Sequence, residues 1–205
     1  MSNPIIEVIE SRVSTGRYDA ERQLSEESLT ELIRLAALSP SAYNFQNWKF
    51  IAVRTPQAKA RLCEAAYGQP QVKDAAATII VCGTLEAHRE LAQALQPSVE
   101  AGVMPQAVAD GWVEAATGSH QGNPQLQRDE AIRSASLAAM TLMLAAQGMG
   151  LSTGPMSGFD PVAVSEAFEL SDHELPVMLV TVGYPATHTW TQKPRKPVAE
   201  VMQFA

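Results

Sequence analysis

Apolar positions along this chain recur in two rhythms, one suited to helices and one to strands. Helical spacing comes first. Asn3 is placed to cap a helix with Pro4 at its first position, and Ile5, Ile6 and Ile9 supply an apolar face before polar residues take over at Ser11. Ser25 is a natural N-cap for a second helix, with Leu24 and Leu29 spaced as a hydrophobic staple. Leu29, Leu32, Ile33, Ala36 and Ala37 then repeat at helical intervals until Pro40. Residues 48–54 (WKFIAVR) are aromatic and β-branched and predict a strand, after which Thr55-Pro56 opens a helix running to about Tyr67. Residues 78–82 (TIIVC) and 176–183 (PVMLVTVG) predict two more strands, the former continuously apolar as a strand covered on both faces would be.

The spans 86–95 and 105–116 read as polar helices and 118–124 (GSHQGNP) as a loop. The strongest element is 129–147, where Ala, Met and Leu fall on nearly every side with no Pro or Gly; a helix apolar all round belongs at the centre of a fold. Gly148 and Gly150 suit a left-handed C-cap, a glycine-flanked stretch follows, and a short helix starts after Asp160-Pro161. Helices and strands mix with too few crossover helices for a doubly wound sheet, so an α+β fold in one domain over 1–205 is expected.

Composition narrows this little. A chain of 205 residues can bury roughly 70% of its unfolded surface without staples. The two cysteines, Cys63 and Cys82, fall in apolar stretches of different elements, predicting buried thiols and a reducing cytoplasm. A net charge of -7 and a pI near 5.1 argue against a nucleic-acid surface, and no stretch reaches the ~20 apolar residues of a membrane span. The N-terminal residues lack the basic and apolar regions of a signal peptide.

Candidate chemistry is found mainly by elimination. The run Gly148-x-Gly150-x-x-x-Gly154 closes a helix instead of opening one after a strand, which excludes a dinucleotide loop of the Rossmann kind. His88, His120, His173 and His188 have no metal-ligand spacing and read as surface residues; no G-x-S-x-G elbow places a hydrolase nucleophile. Four clusters remain, suited to a large, flat, phosphorylated ligand. In Arg12-Val13-Ser14-Thr15-Gly16-Arg17 a guanidinium can fork a phosphate and a hydroxyl can donate to it. The loop Ser39-Pro40-Ser41-Ala42-Tyr43-Asn44 lets backbone approach a ligand, Gly154-Pro155-Met156-Ser157-Gly158 could turn N–H groups toward a heteroaromatic ring, and Lys193-Pro194-Arg195 adds cations. Each alone is ordinary: a helix end, a tight turn, a glycine-rich link, a solvated tail.

Taken in order, the clusters resemble the nitroreductase family of FMN enzymes. The most specific match is Ser39-Pro40-Ser41-Ala42-Tyr43-Asn44-Phe45-Gln46-Asn47-Trp48, ahead of the first strand; Val182-Gly183-Tyr184-Pro185 after the last strand is another. The resemblance implies a central mixed or antiparallel sheet flanked by helices around a long buried helix, in an intertwined homodimer with an FMN site at each subunit boundary. Arg12, Val13 and Ser14 would hold the FMN phosphate with Lys193 and Arg195, and Pro40, Ser41 and Asn44 would reach the flavin across the boundary. Gln69 and Gln71 would meet the ring's polar edge, and Pro155, Met156, Ser157 and Gly158 would lie against the ring with the Ser157 N–H near N5. Tyr43, Phe45 and Trp112 are candidates for the apolar wall of an acceptor pocket.

The implied activity is ping-pong transfer of a hydride from NADPH or NADH through flavin N5 to an electron-poor acceptor, a nitroaromatic, quinone or enone, with no catalytic side chain and no metal. A flavin-binding or flavin-cleaving protein without nicotinamide turnover is the alternative. Three positions depart from the family pattern: Gly16 where a further cation is common, with Arg17 one place late; Asn47 in place of proline; and Gln71 where some relatives carry lysine. Less positive charge beside the ring predicts a lower flavin potential than in those relatives.

Overall fold

The computed structural model describes residues 3–187 and 190–205, which leaves His188 outside the described residues. The Asn3 side chain accepts from Ile5 N at the start of α1 (Pro4–Ser11), and Ser25 accepts from Ser28 N at the start of α2 (Glu26–Ala36), as the capping pattern predicts. Then come β1 (Trp48–Val53), α3 (Pro56–Ala65), the short α4 (Gln71–Asp74) and β2 (Ala77–Thr84). Helices α5 (Leu91–Glu100), α6 (Gln106–His120) and α7 (Pro124–Gly148) follow, then β3 (Ser152–Met156), α8 (Pro161–Ala167), β4 (Glu174–Gly183) and α9 (Val198–Val201).

The four strands make one wholly antiparallel sheet in the order β1-β2-β4-β3. Its alternating side chains divide the core in two. Ile79, Val81, Val180 and Val182 pack on α2 and α7, while Ile80, Cys82 and Leu179 meet Leu62 and Cys63 of α3 and Val164 of α8. β2 is buried along nearly its whole length, as its unbroken apolar run predicts, and both cysteines are free and buried. Small residues let α7 lie close on the sheet: a Cβ on Gly83 would stand 2.5 Å from the Ala131 carbonyl oxygen. No described helix is long and apolar enough to cross a membrane.

Several expectations need correction. The stretch 152–156 is a fourth strand; its short length, with Gly154 and Pro155 inside, hides the β signal, and only pairing with β4 reveals it. α7 starts at Pro124, where the Asn123 side chain accepts from Leu126 N, and α6 runs to His120, so the expected loop 118–124 is confined to residues 121–123. The first polar helix lies at 91–100 and not 86–95. α7 is central but covered on one side only: Ala135, Ala139, Leu142 and Ala146 are buried, whereas Leu137 and Met140 face outward. The apolar face of α1, Ile5, Ile6 and Ile9, is likewise exposed. Of the two glycines after α7, Gly150 alone takes the left-handed conformation (φ 74°), and Leu151 N closes the cap on Ala146 O at 2.8 Å.

Candidate cofactor site at the β3 edge

The N-terminal cluster reaches its position because the chain after α1 runs beside β3. Thr15 N donates to Thr153 O (2.8 Å), and Ser14 pairs in parallel with Thr153. Contact this close requires Gly154, whose added Cβ would sit 2.3 Å from Thr15 O. Tyr18 braces the segment from below. Its buried hydroxyl lies 2.8 Å from Thr181 Oγ1, which itself donates to Gly154 O (3.1 Å), and burial pushes the phenol well above its ordinary pKa. The Val182-Gly183-Tyr184-Pro185 motif acts here too: Asp19 N donates to Tyr184 O (2.9 Å), Tyr18 bridges Pro185, and the Arg22 guanidinium covers the Tyr184 ring at 3.3 Å.

Arg12, half-buried, makes no ion pair or side-chain hydrogen bond among the described residues, and Ser14 is exposed beside it. Past the end of β3, Ser157 and Gly158 are exposed, and their N–H groups donate to no protein acceptor among the described residues. Gln69 joins them from the far side, its Nε2 donating to Gly158 O (2.6 Å), and Gln71 Nε2 donates to Gln69 Oε1 (2.9 Å). One edge thus collects an unpaired guanidinium, a hydroxyl, two free backbone donors and an amide pair. This donor set fits a phosphorylated ring: cation and hydroxyl for the phosphate, amides for carbonyl and ring-nitrogen positions.

Two predicted clusters have no hydrogen bond to this edge among the described residues. In the 39–44 loop Ser39 Oγ donates to Thr141 Oγ1 (2.6 Å), Ser41 Oγ accepts from Gln46 N (2.9 Å), and no hydrogen bond among the described residues ties Pro40 or Asn44 to β3. Tyr43, Asn44 and Gln46 hold φ of 51°, 59° and 49°, a concentration of left-handed backbone that costs energy at Tyr and Gln. Lys193 and Arg195 stand on the exposed tail, Lys193 beside Trp190 and Arg195 donating to Gln192 Oε1 (3.2 Å).

The aromatic trio does assemble. The Tyr43 ring lies 5.4 Å from Phe45 and 6.2 Å from Trp112, over the small core formed by α5 and α6. Phe45 also rims a neighbouring cleft of about 780 Å³ lined by polar groups including Gln46, Glu86, Arg89 and His173, to which Tyr43 and Trp112 do not contribute.

His88 and His120 are not surface residues. They are 6% and 5% exposed and stack with ring centroids 6.1 Å apart beneath Phe45. Polar sequence neighbours mask this: His120 ends α6, which turns a narrow face inward, and His88 sits in a short 3₁₀ turn, Ala87–Arg89, between charged residues. Burial, then the neighbouring His120 and Arg89, hold His88 below its ordinary value of 6.5, against a smaller opposing pull from Glu86. The folded protein therefore prefers neutral His88, and stability present above about pH 6.5 declines as the pH falls below it, where the unfolded chain gains the proton first. A His88→Gln variant is expected to lose less stability than the parent between pH 7 and 5 in denaturant titrations; an identical slope would show that His88 does not contribute.

Sequence reading placed Thr15 in the first cluster without giving it a role, and missed Tyr18 and Lys59, whose ammonium donates to Ala75 O and, at 3.4 Å, to Lys73 O. Thr15 and Tyr18 act through contacts far apart in the chain and left no local signal. Lys59 did leave one, since it shares the helical register of the buried Leu62 and Cys63.

The donor set at the β3 edge suits a flat, phosphorylated ligand. The nitroreductase family model matches residues 9–184. Bacillus subtilis YodC, provisionally named an NAD(P)H nitroreductase, is 33% identical over 196 residues, 96% of each chain. A crystal structure from Exiguobacterium sibiricum, described as a nitroreductase in complex with FMN, superposes with a TM-score of 0.91 at 30% identity, covering 100% of this chain and 99% of that one. The CLA biosynthesis enone reductase of Lactiplantibacillus plantarum is 26% identical, covering 89% of this chain and 86% of its own. The chain belongs to the nitroreductase family.

Proposed function

We propose that the chain is an FMN-dependent NAD(P)H oxidoreductase, one cytoplasmic FMN-binding domain over 1–205 acting as a homodimer. The observation that carries the reading is the Thr15–Thr153 junction, which brings unpaired Arg12 and Ser14 to the same edge as the free Ser157 and Gly158 amides. Bound FMN would supply the chemistry, taking two electrons from NADH or NADPH and passing them in a ping-pong cycle to a nitroaromatic, quinone or enone. The chain's own residues bind and orient. Arg12 and Ser14 neutralise the phosphate, Val13 keeps the segment extended between them, and Gln69 and Gln71 face the ring's polar edge. Pro155 and Met156 support one side of the ring, and the Ser157 and Gly158 N–H groups approach it without an intervening side chain.

A partner subunit completes the site in this reading. Within one chain Pro40, Ser41, Asn44, Lys193 and Arg195 stay apart from β3, while the outward faces of α1 and α7 and a tail with Trp190 72% and Phe204 87% exposed lack cover. So much exposed apolar surface marks an interface. The Tyr43, Phe45 and Trp112 wall would then flank the acceptor.

The test begins with the colour and mass of the purified protein. A yellow dimer of twice 22.1 kDa is expected by light scattering. Free FMN at about 100 times its dissociation constant stabilises the apoprotein by about 2.7 kcal/mol, raising the melting temperature by roughly 5–10 °C. Anaerobic NADH or NADPH should bleach the flavin within seconds. Persistent colour would leave a flavin-binding protein without nicotinamide turnover, and a colourless protein unmoved by FMN would end the reading.

A further inference from the structure

Between β2 and α7 the chain leaves the sheet for an excursion, residues 85–123, in which α5 and α6 pack on each other. Its apolar core, Leu91, Leu95, Ala109 and Ala116 with Phe45, is separate from the two cores against the sheet. A flap of this kind hinges at its neck, where the chain crosses out and back. His88 lies on the crossing out, in the 3₁₀ turn after β2, and His120 on the crossing back, at the last residue of α6. Both are buried, and their rings meet with centroids 6.1 Å apart.

The hydrogen bonds at the neck place the protons. His120 Nδ1 lies 3.0 Å from Ala116 O, and a carbonyl carries no proton, so Nδ1 is the N–H of the neutral ring and Nε2 holds the lone pair. That Nε2 and the Nδ1 of His88 are both buried without a hydrogen-bond partner among the described residues. Such orphaned nitrogens are costly, and a pair of apolar rings would fill the space without them. What the histidines add to packing is a site for a proton. No free carboxylate waits to meet it: Glu86, the acid that acts on His88, already holds Arg89 (2.8 Å) and His173 (3.4 Å). Around the pair, Glu90 opens α5, which adds Leu91 and Leu95; the 42–45 turn adds the Tyr43 and Phe45 rings; α7 adds the Gln127 amide, which donates to His120 O (2.8 Å). A charge on either histidine disfavours a charge on the other.

We propose that His88 and His120 form a proton-sensitive clasp at the neck of the α5–α6 flap, closed while both rings are neutral and released when the pair takes a proton from solvent. Closed, the clasp sets the His120 ring edge-on to Tyr43 and Phe45 and so steadies the left-handed Tyr43 against Trp112 of α6. An imidazolium in the neck reaches water only if the neck opens, and opening carries Trp112 away from Tyr43. The flap is closed above about pH 6.5 and opens progressively below it, because burial, then His120 and Arg89, make the closed form bind the proton more weakly than the open one. The clasp works without bound flavin; only its effect on an acceptor at the Tyr43 wall rests on the FMN reading above.

Hydrogen exchange of the purified protein at about pH 7.5 and 5.5, with labelling times scaled for the intrinsic exchange rate, tests the clasp. Protection of α6 relative to β2 and β4 is expected to fall about tenfold at the lower pH, the change that a tenfold difference in proton affinity between closed and open forms allows. His88→Gln keeps a polar side chain but takes no proton, and should cut that fall to less than about threefold. His173→Gln, which removes the exposed histidine beside Glu86, should keep most of it. Imidazole nitrogen spectra of the unaltered protein give a second measure that needs no variant: His120 as the Nδ1–H tautomer, and His88 titrating below 6.5. Exchange in α6 that tracks β2 and β4 at both pH values, an unchanged response in His88→Gln, or a His88 ring that titrates at or above 6.5 overturns the clasp. Failure of the FMN reading shows separately, as a protein that binds no flavin.

Discussion

Replacing Gly154 by alanine is expected to lower the melting temperature by roughly 4–12 °C, the equivalent of about 2–3 kcal/mol in a domain of this size, and to weaken FMN binding at least tenfold. The added Cβ would meet Thr15 O at 2.3 Å, Thr181 Oγ1 at 2.7 Å and the Tyr18 hydroxyl at 3.2 Å. Two of these three are the groups that brace the segment, and the nearest is backbone, which cannot swing aside as a long side chain could. Relief requires Thr15 to leave Thr153, taking Arg12 and Ser14 away from the β3 edge with it. One methyl group therefore acts on stability and cofactor affinity together. Gly148→Ala is the matching control, because nothing lies within 4 Å of a Cβ there, and it should melt with the parent. Differential scanning calorimetry and FMN titration check both; a Gly154→Ala protein that melts and binds like the parent would refute this account of the site's construction.

Arg12→Ala is expected to weaken FMN roughly 30- to 300-fold, from the loss of about 2–3.5 kcal/mol of charge-assisted hydrogen bonding to the phosphate. Because Arg12 makes no ion pair or side-chain hydrogen bond among the described residues, its removal should leave the melting temperature of the apoprotein nearly unchanged. Riboflavin, which has the ring but no phosphate, provides the control: its affinity should change by less than about twofold. Arg12→Lys keeps the charge but not the planar fork and should recover part of the loss. Equal losses for FMN and riboflavin would mean that Arg12 shapes the ring site instead of binding phosphate.

Lys193 and Arg195 bear on the proposed dimer. Their cations are engaged within the tail, near Trp190 and Gln192, and no hydrogen bond or ion pair among the described residues joins them to the β3 edge. The strained turn at Tyr43, Asn44 and Gln46 likewise has no hydrogen bond to that edge among the described residues, and its Tyr43 packs on the α5 and α6 cluster. Backbone held in costly conformations at a rigid position suits a surface shaped for a partner's ligand, which agrees with the proposed shared site.

Local patterns in the sequence were enough for much of the framework. Asn3 and Ser25 cap their helices because a short polar side chain bonds nearby N–H groups wherever the helix lies. The unbroken apolar run of β2 declares burial on both faces, and the Arg12, Ser14 and Pro155 to Gly158 clusters were readable as donors. What the sequence could not hold was any property created by contact at long range. Ser152 to Met156 is a strand only because β4 pairs with it. His120 is buried where Tyr43 and Phe45 pack edge-on to its ring, and His88 stacks on His120. Arg12 and Ser157 belong to one edge only because Gly154 admits Thr15. Side-chain chemistry and short-range hydrogen bonding are set by residue type and spacing, so the sequence determined the donors and the caps; which donors share a site depends on close packing between distant segments, and that was decided by the tertiary structure alone.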